Sequence, residues 1–175
     1  MTFSLNESDP DYPALLFANN LIGGGSRSHL WTRIREKEGL SYAVQSVLNA
    51  GAADNFGQFL AIAIANPSNI AKVEASFKDE MSNIMTGGLH ADEVAAAKKA
   101  FLQQRQMQRA DDETLARQLA RNDHFGWSMA RQASEERKVS ELSAEEISAA
   151  LRRHLDPATL VIFKAGDFKK PAAAQ

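Results

Sequence analysis

Four histidines, His29, His90, His124 and His154, are the side chains best suited to hold a catalytic metal in this 175-residue chain, and no cysteine stands beside them. None has a second histidine four positions away in an H-x-x-E-H pattern or its inverted form, so no local zinc pair is encoded. Without cysteine there is neither a thiolate site nor a disulfide framework. Gly23-Gly24-Gly25-Ser26 precedes a helix and has the outline of a phosphate cradle, because helix N-termini attract anions. It lacks the Gly-Lys-Ser/Thr ending of a nucleotide loop, so a tight interhelical turn is the preferred reading. Arg35 and Tyr42, taken singly, are a helical arginine and a strand tyrosine of the kind that serve solvation and packing. Glu36, Lys37 and Glu38 read as a solvated helix end, and His29 and Trp31 as structural residues.

The elements that must position these residues follow from apolar spacing. Asp9 and Asp11 flank Pro10, with Pro13 after them, which suits a helix start with acidic residues in its first turn. Ala14 to Ala18, then Leu21 and Ile22, are apolar on most sides, so this helix should be well buried. It stops at Gly23-Gly24-Gly25, and Ser26 or Ser28 caps a second helix carrying Leu30, Trp31 and Ile34, which Gly39 ends. From Ser41 to Ala50 the period changes to two, with Tyr42, Val44, Ser46 and Leu48 on one face. Phe56 to Ala65 reads as a second strand, buried on nearly both faces, paired antiparallel to the first across the turn Gly51 to Asn55.

Asn66-Pro67-Ser68 opens a helix with Ile70, Val73, Phe77, Met81 and Ile84 at helical spacing, broken by Gly87-Gly88. A long helical stretch from about His90 to Phe125 is interrupted near Ala110-Asp111-Asp112; its Gln103 to Arg109 portion reads as a solvated face. Ser143 to Glu146 is a capping box for a helix through His154, and Thr159 to Lys164 is a final short strand. The fold class is α+β, an antiparallel sheet with helices packed on one face. A net charge of −2 removes the electrostatic case for nucleic acid, and no apolar run reaches the roughly 20 residues of a membrane span.

The segment Leu21 to Val44, LIGGGSRSHLWTRIREKEGLSYAV, together with Asp9-Pro10-Asp11-Tyr12 before it, carries a resemblance. It resembles the C-terminal, zinc-free domain of pitrilysin/insulinase-type metallopeptidases, which include the mitochondrial processing peptidases. Gly88-Leu89, Asp92-Glu93-Val94, Leu142 to Ile147 and Leu155-Asp156-Pro157 extend the likeness to roughly residues 9–167. The resemblance implies a LuxS/MPP-like metallohydrolase half and a peptide substrate. It also implies a homologous partner half, in cis or in trans, that carries zinc on an H-x-x-E-H helix. Its arginine and tyrosine, seven positions apart, map onto Arg35 and Tyr42 as catalytic residues that reach the substrate beside the zinc. Donors aimed at a developing oxyanion are what such a hydrolysis needs.

By the same resemblance Gly23, Gly24, Gly25 and Ser41 are candidate substrate contacts, and the strand from Ser41 to Leu48 can pair with an extended peptide. This chain binds no metal of its own in that scheme. The expected organisation is one C-terminal peptidase-family domain over 1–175, excised from a longer chain. Residues 1–8 are then the end of a truncated first strand, and 168–175 a loose tail. Bacterial relatives of this kind are often periplasmic, the compartment the resemblance favours. The rival reading is a non-catalytic structural or interaction subunit of the same fold, like the peptidase-related core proteins of respiratory complexes.

Overall fold

The computed structural model describes residues 1–168; of the expected tail, 169–175 lies outside them. Three strands form one antiparallel sheet in the order β1-β3-β2: β1 (Thr2–Phe3), β2 (Ser41–Ala50) and β3 (Gly57–Ala65). β1 covers only Gly57 and Gln58 of β3, with Met1 adding backbone bonds to Phe59, whereas β2 pairs with β3 along its whole length. β2 is therefore an edge strand.

The helices stack on one face of this sheet. The first, α1 (Tyr12–Gly23), buries Pro13, Ala14, Leu15, Phe17, Ala18, Leu21, Ile22 and Gly23, as a helix apolar on most sides must. It lies on β2 and is walled in by α3 (Ala91–Arg109), α5 (Met129–Glu141) and α6 (Ala144–His154). α2 (Ile70–Gly87) and α4 (Asp112–Phe125) complete the layer. Phe17 meets Phe101 edge-on at 5.5 Å, and Leu5, Ile22, Leu30, Ile34, Ile147 and Leu151 close the core around them. The expected break in the long helical stretch occurs where Asp111 accepts the Thr114 N–H, and the Ser143–Glu146 capping box forms in both directions.

Several expectations are corrected. The first turn of α1 holds no acidic residue: the helix begins at Tyr12, and Asp11 just before it turns its carboxylate to Arg153 and His154 at the end of α6. Tyr42 does not share a face with Val44 and Ser46. Ser41 pairs with Ala65 and Ala43 with Ile64, so Tyr42 is an extra residue in a bulge, and bulges re-aim side chains. Val44 and Ser46 are 4% and 5% exposed, Tyr42 67%. β3 is buried on one face only: Leu60, Ile62 and Ile64 are 41%, 43% and 61% exposed, because no second layer among the described residues covers that side. Thr159–Lys164 is not a strand. A 3-10 turn over Pro157–Thr159 leads into an unpaired segment in which Phe163 is 91% exposed and Lys164 reaches Glu74 at 2.5 Å. Strand-prone side chains need a ladder, and none is offered there. The Gln103 to Arg109 portion is not simply solvated, since Arg105 and Arg109 face Glu135 and Glu136 of α5, a helix the spacing had not marked.

Candidate functional site

Beyond Ser28 the chain turns helical and then widens into a π-turn, Trp31–Lys37, in which the Glu38 N–H reaches back to Arg33 O. π-turns are rare and concentrate at functional sites. Ile34 is its one buried residue, anchoring the turn in the core, while Arg35, Glu36 and Lys37 face water. The Arg35 guanidinium lies over the Trp31 ring, 5.1 Å from its centroid, and Trp31 Nε1 donates to Glu36 at 3.2 Å. Trp31 thus combines partial burial with a platform for Arg35. Gly39, at φ +62°, reverses the chain into β2, where the left-handed conformation favours glycine. Three residues later the bulge turns Tyr42 outward.

The four candidate substrate contacts fare differently. Gly23 is buried where α1 crosses β2, and a Cβ there would lie 2.4 Å from Ser46 N. Gly24 and Gly25 are exposed, and a Cβ on Gly25 would meet nothing within 4 Å. Ser41 is buried and its hydroxyl donates to Ala43 O (2.5 Å) and Ile64 O (3.0 Å), which stitches the bulge together. Beside these residues runs the uncovered side of the sheet, with Val47 opposite Leu60, Gln45 opposite Ile62 and Ala43 opposite Ile64. In the sequence alone the same alternation reads as burial on both faces, so nothing there distinguishes this exposed apolar strip.

Among the described residues the candidate zinc donors already have other partners, His90 accepting the N3 backbone N–H of α3. His29 is committed at both ring nitrogens, to Glu80 (2.8 Å) and Glu93 (3.3 Å), and His124 stacks edge-on against Phe125. Among the described residues one group, Asp9, Asp11 and His154, brings three potential ligand atoms within 4.8 Å of one another. Asp11 there already accepts two bonds from Arg153, at 2.8 and 2.6 Å, and one from His154 at 3.0 Å. The Arg153 hydrogen bond holds the Asp11 carboxyl below its ordinary value, against burial, which raises it. A cation would have to displace a guanidinium. A separate cleft of about 300 Å³ between α3, α4 and α5 is lined by Arg105, Arg117, Arg121 and Arg131, but Glu7, Glu113, Glu135 and Glu136 pair with them and Trp127 is covered by Arg131 at 3.9 Å.

Residues 2–101 match the model of the peptidase M16 inactive domain. An uncharacterized zinc protease of Streptomyces coelicolor is 38% identical over 79 residues, 45% of this chain and 17% of that protein. The crystal structure of a peptidase M16 inactive domain from Pseudomonas fluorescens superposes with a TM-score of 0.76 at 23% identity, over 89% of this chain and 37% of that one. A protease from Helicobacter pylori gives 0.76 at 15% identity, over 87% and 37%. The chain thus spans well under half the length of these relatives. It belongs to the M16 metallopeptidase family as an inactive domain of the kind found in its zinc proteases.

Proposed function

We propose that this M16 inactive domain completes the active site and substrate chamber of a zinc-bearing homologous half, and that Arg35 and Tyr42 are the residues it contributes. The observation that carries the reading is the placement of the pair. Both side chains are exposed, one on a π-turn and the other thrown outward by a bulge, on adjoining elements next to an apolar sheet face left bare. A tyrosine ordinarily buried on a strand and an arginine ordinarily paired with a carboxylate are here both held away from the core.

Zinc on the partner half supplies the Lewis acid of the reaction. Tyr42 then offers a hydroxyl donor to the peptide carbonyl oxygen as it gains charge, and Arg35 offers a planar set of N–H donors to that oxygen or to neighbouring peptide carbonyls. An extended peptide can add to the free edge of β2, using main-chain hydrogen bonds for affinity. Leu60, Ile62 and Ile64 give its side chains, or the partner half, an apolar wall. Gly24 and Gly25 remain open to a peptide, whereas Gly23 and Ser41 shape the site from beneath.

The test is reconstitution. The chain is combined with the zinc-bearing half, and cleavage of a quenched fluorescent peptide is followed for wild type, Tyr42→Phe and Arg35→Ala, with association checked separately. Activity should appear only on mixing and fall at least about tenfold with either substitution, about 1.4 kcal/mol of transition-state stabilisation. Full activity in both variants with association intact would return the domain to the scaffold reading.

A further inference from the structure

The sequence marks Glu38 as part of a solvated helix end, yet its carboxylate is turned inward. It accepts a hydrogen bond from Ser76 Oγ at 2.5 Å and another from Arg33 Nε. Ser76 is itself 8% exposed, a buried serine on the core-facing side of α2. Burial pushes the Glu38 carboxyl up, and the bonds from Ser76 and Arg33 outweigh it, leaving the group below its ordinary value. Arg33 continues the contact along α2, to Asp79 at 3.0 Å and Glu80 at 3.6 Å. Glu80 in turn holds His29, whose other nitrogen faces Glu93 on α3. On the far side, Asn69 Nδ2 donates to Leu40 O at 3.3 Å.

A seven-residue π-turn needs such help. It ends at Lys37 with Glu38 as its C-cap, and Gly39, the most permissive residue type, stands just beyond. Arg35 sits in the middle of the turn, and the bulge bearing Tyr42 follows its end. We propose that Glu38 is a positioning residue, a latch that fastens the π-turn to α2 through Ser76 and Arg33 and so sets where Arg35 stands. The proposal rests on the reading of Arg35 as a substrate contact given above. Glu38 touches no substrate in it; the carboxylate acts through the turn.

Two measurements test the latch. In the reconstituted enzyme, kcat and KM are determined for Glu38→Gln, Glu38→Asp and Ser76→Ala, each alone and combined with Arg35→Ala, well below the melting temperature. Glu38→Gln should lower kcat about tenfold, the order expected when a reacting group is slightly misplaced. It should change KM little, recover in part with Glu38→Asp, and cost nothing more once Arg35 is already alanine. Wild-type kcat in Glu38→Gln, or an equal loss in both backgrounds, would overturn the latch and leave the reading of Arg35 standing. If Arg35→Ala alone cleaves like wild type, that reading fails first and the inference falls with it, a result visible in the single variant. Amide hydrogen exchange of the chain itself needs no activity. Glu38→Gln should speed exchange at the Glu38 and Leu40 amides while α1 keeps its protection; unchanged exchange there refutes the latch.

Discussion

Replacing Gly23 by alanine separates packing from substrate contact in the Gly-rich turn. The added methyl would lie 2.4 Å from both the nitrogen and Oγ of Ser46 and 2.7 Å from its Cβ, where ordinary contact begins at 3.4 Å. No rotamer of Ser46 relieves a clash with its own backbone, so α1 and β2 must part by about 1 Å, the difference between 3.4 and 2.4 Å. Overpacking of this kind costs about 1–3 kcal/mol. For a chain of this length each kcal/mol shifts the melting temperature by about 2–4 °C, so Gly23→Ala should melt about 2–12 °C lower. Gly25→Ala is the internal control. Its Cβ meets nothing within 4 Å, and the change should be neutral or stabilising by up to about 1 kcal/mol, through the unfolded chain. Thermal and urea unfolding followed by circular dichroism on the three proteins in one buffer decides the matter. Equal melting of Gly23→Ala and wild type, or an equal loss in Gly25→Ala, refutes the packing argument.

Two further outcomes are expected. Phe17→Ala, which removes a fully buried ring that meets Phe101, should lower unfolding free energy by about 3–5 kcal/mol in urea titrations; a loss within error would mean the core repacks freely. Asp11 has a folded-state pKa held below its unfolded 3.8, so its contribution is complete above 3.8 and is lost as pH falls through the lower folded value. Asp11→Asn should therefore melt below wild type at pH 7, and the gap should narrow as pH falls below 3.8 and close once it has passed the lower folded value; a gap that persists below both contradicts the assigned partners.

What could be read from the sequence was whatever has a period or a terminal signature. The continuous apolar run of α1, the two-residue alternation of the hairpin and the Ser143–Glu146 box each announce an element directly. The π-turn does not, because bonding to the fifth residue leaves no distinctive spacing over seven residues. Nor does the bulge, where one surplus residue reverses the side on which Tyr42 emerges without altering composition. α5 was invisible because Val139 is its one buried residue and its contacts are carried by Glu135 and Glu136, which look like solvent-facing charges until Arg105 and Arg109 are set against them. The inward turn of Glu38 escaped notice for the same reason: its partner Ser76 is thirty-eight positions away on another helix.

The bare side of the sheet also governs how the chain can be handled and redesigned. With Leu60, Ile62 and Ile64 in water next to a strand edge, a concentrated solution of the separate chain invites self-association, since flat apolar edges are templates for stacking. The usual remedy, placing charges on exposed isoleucines, would improve the sample while erasing the wall that peptide or partner is proposed to meet. Solubility should instead be gained on the outer surfaces of α3 and α4, at positions such as Met107 and Leu119, exposed 68% and 48% on helices remote in sequence from the Arg35–Tyr42 segment.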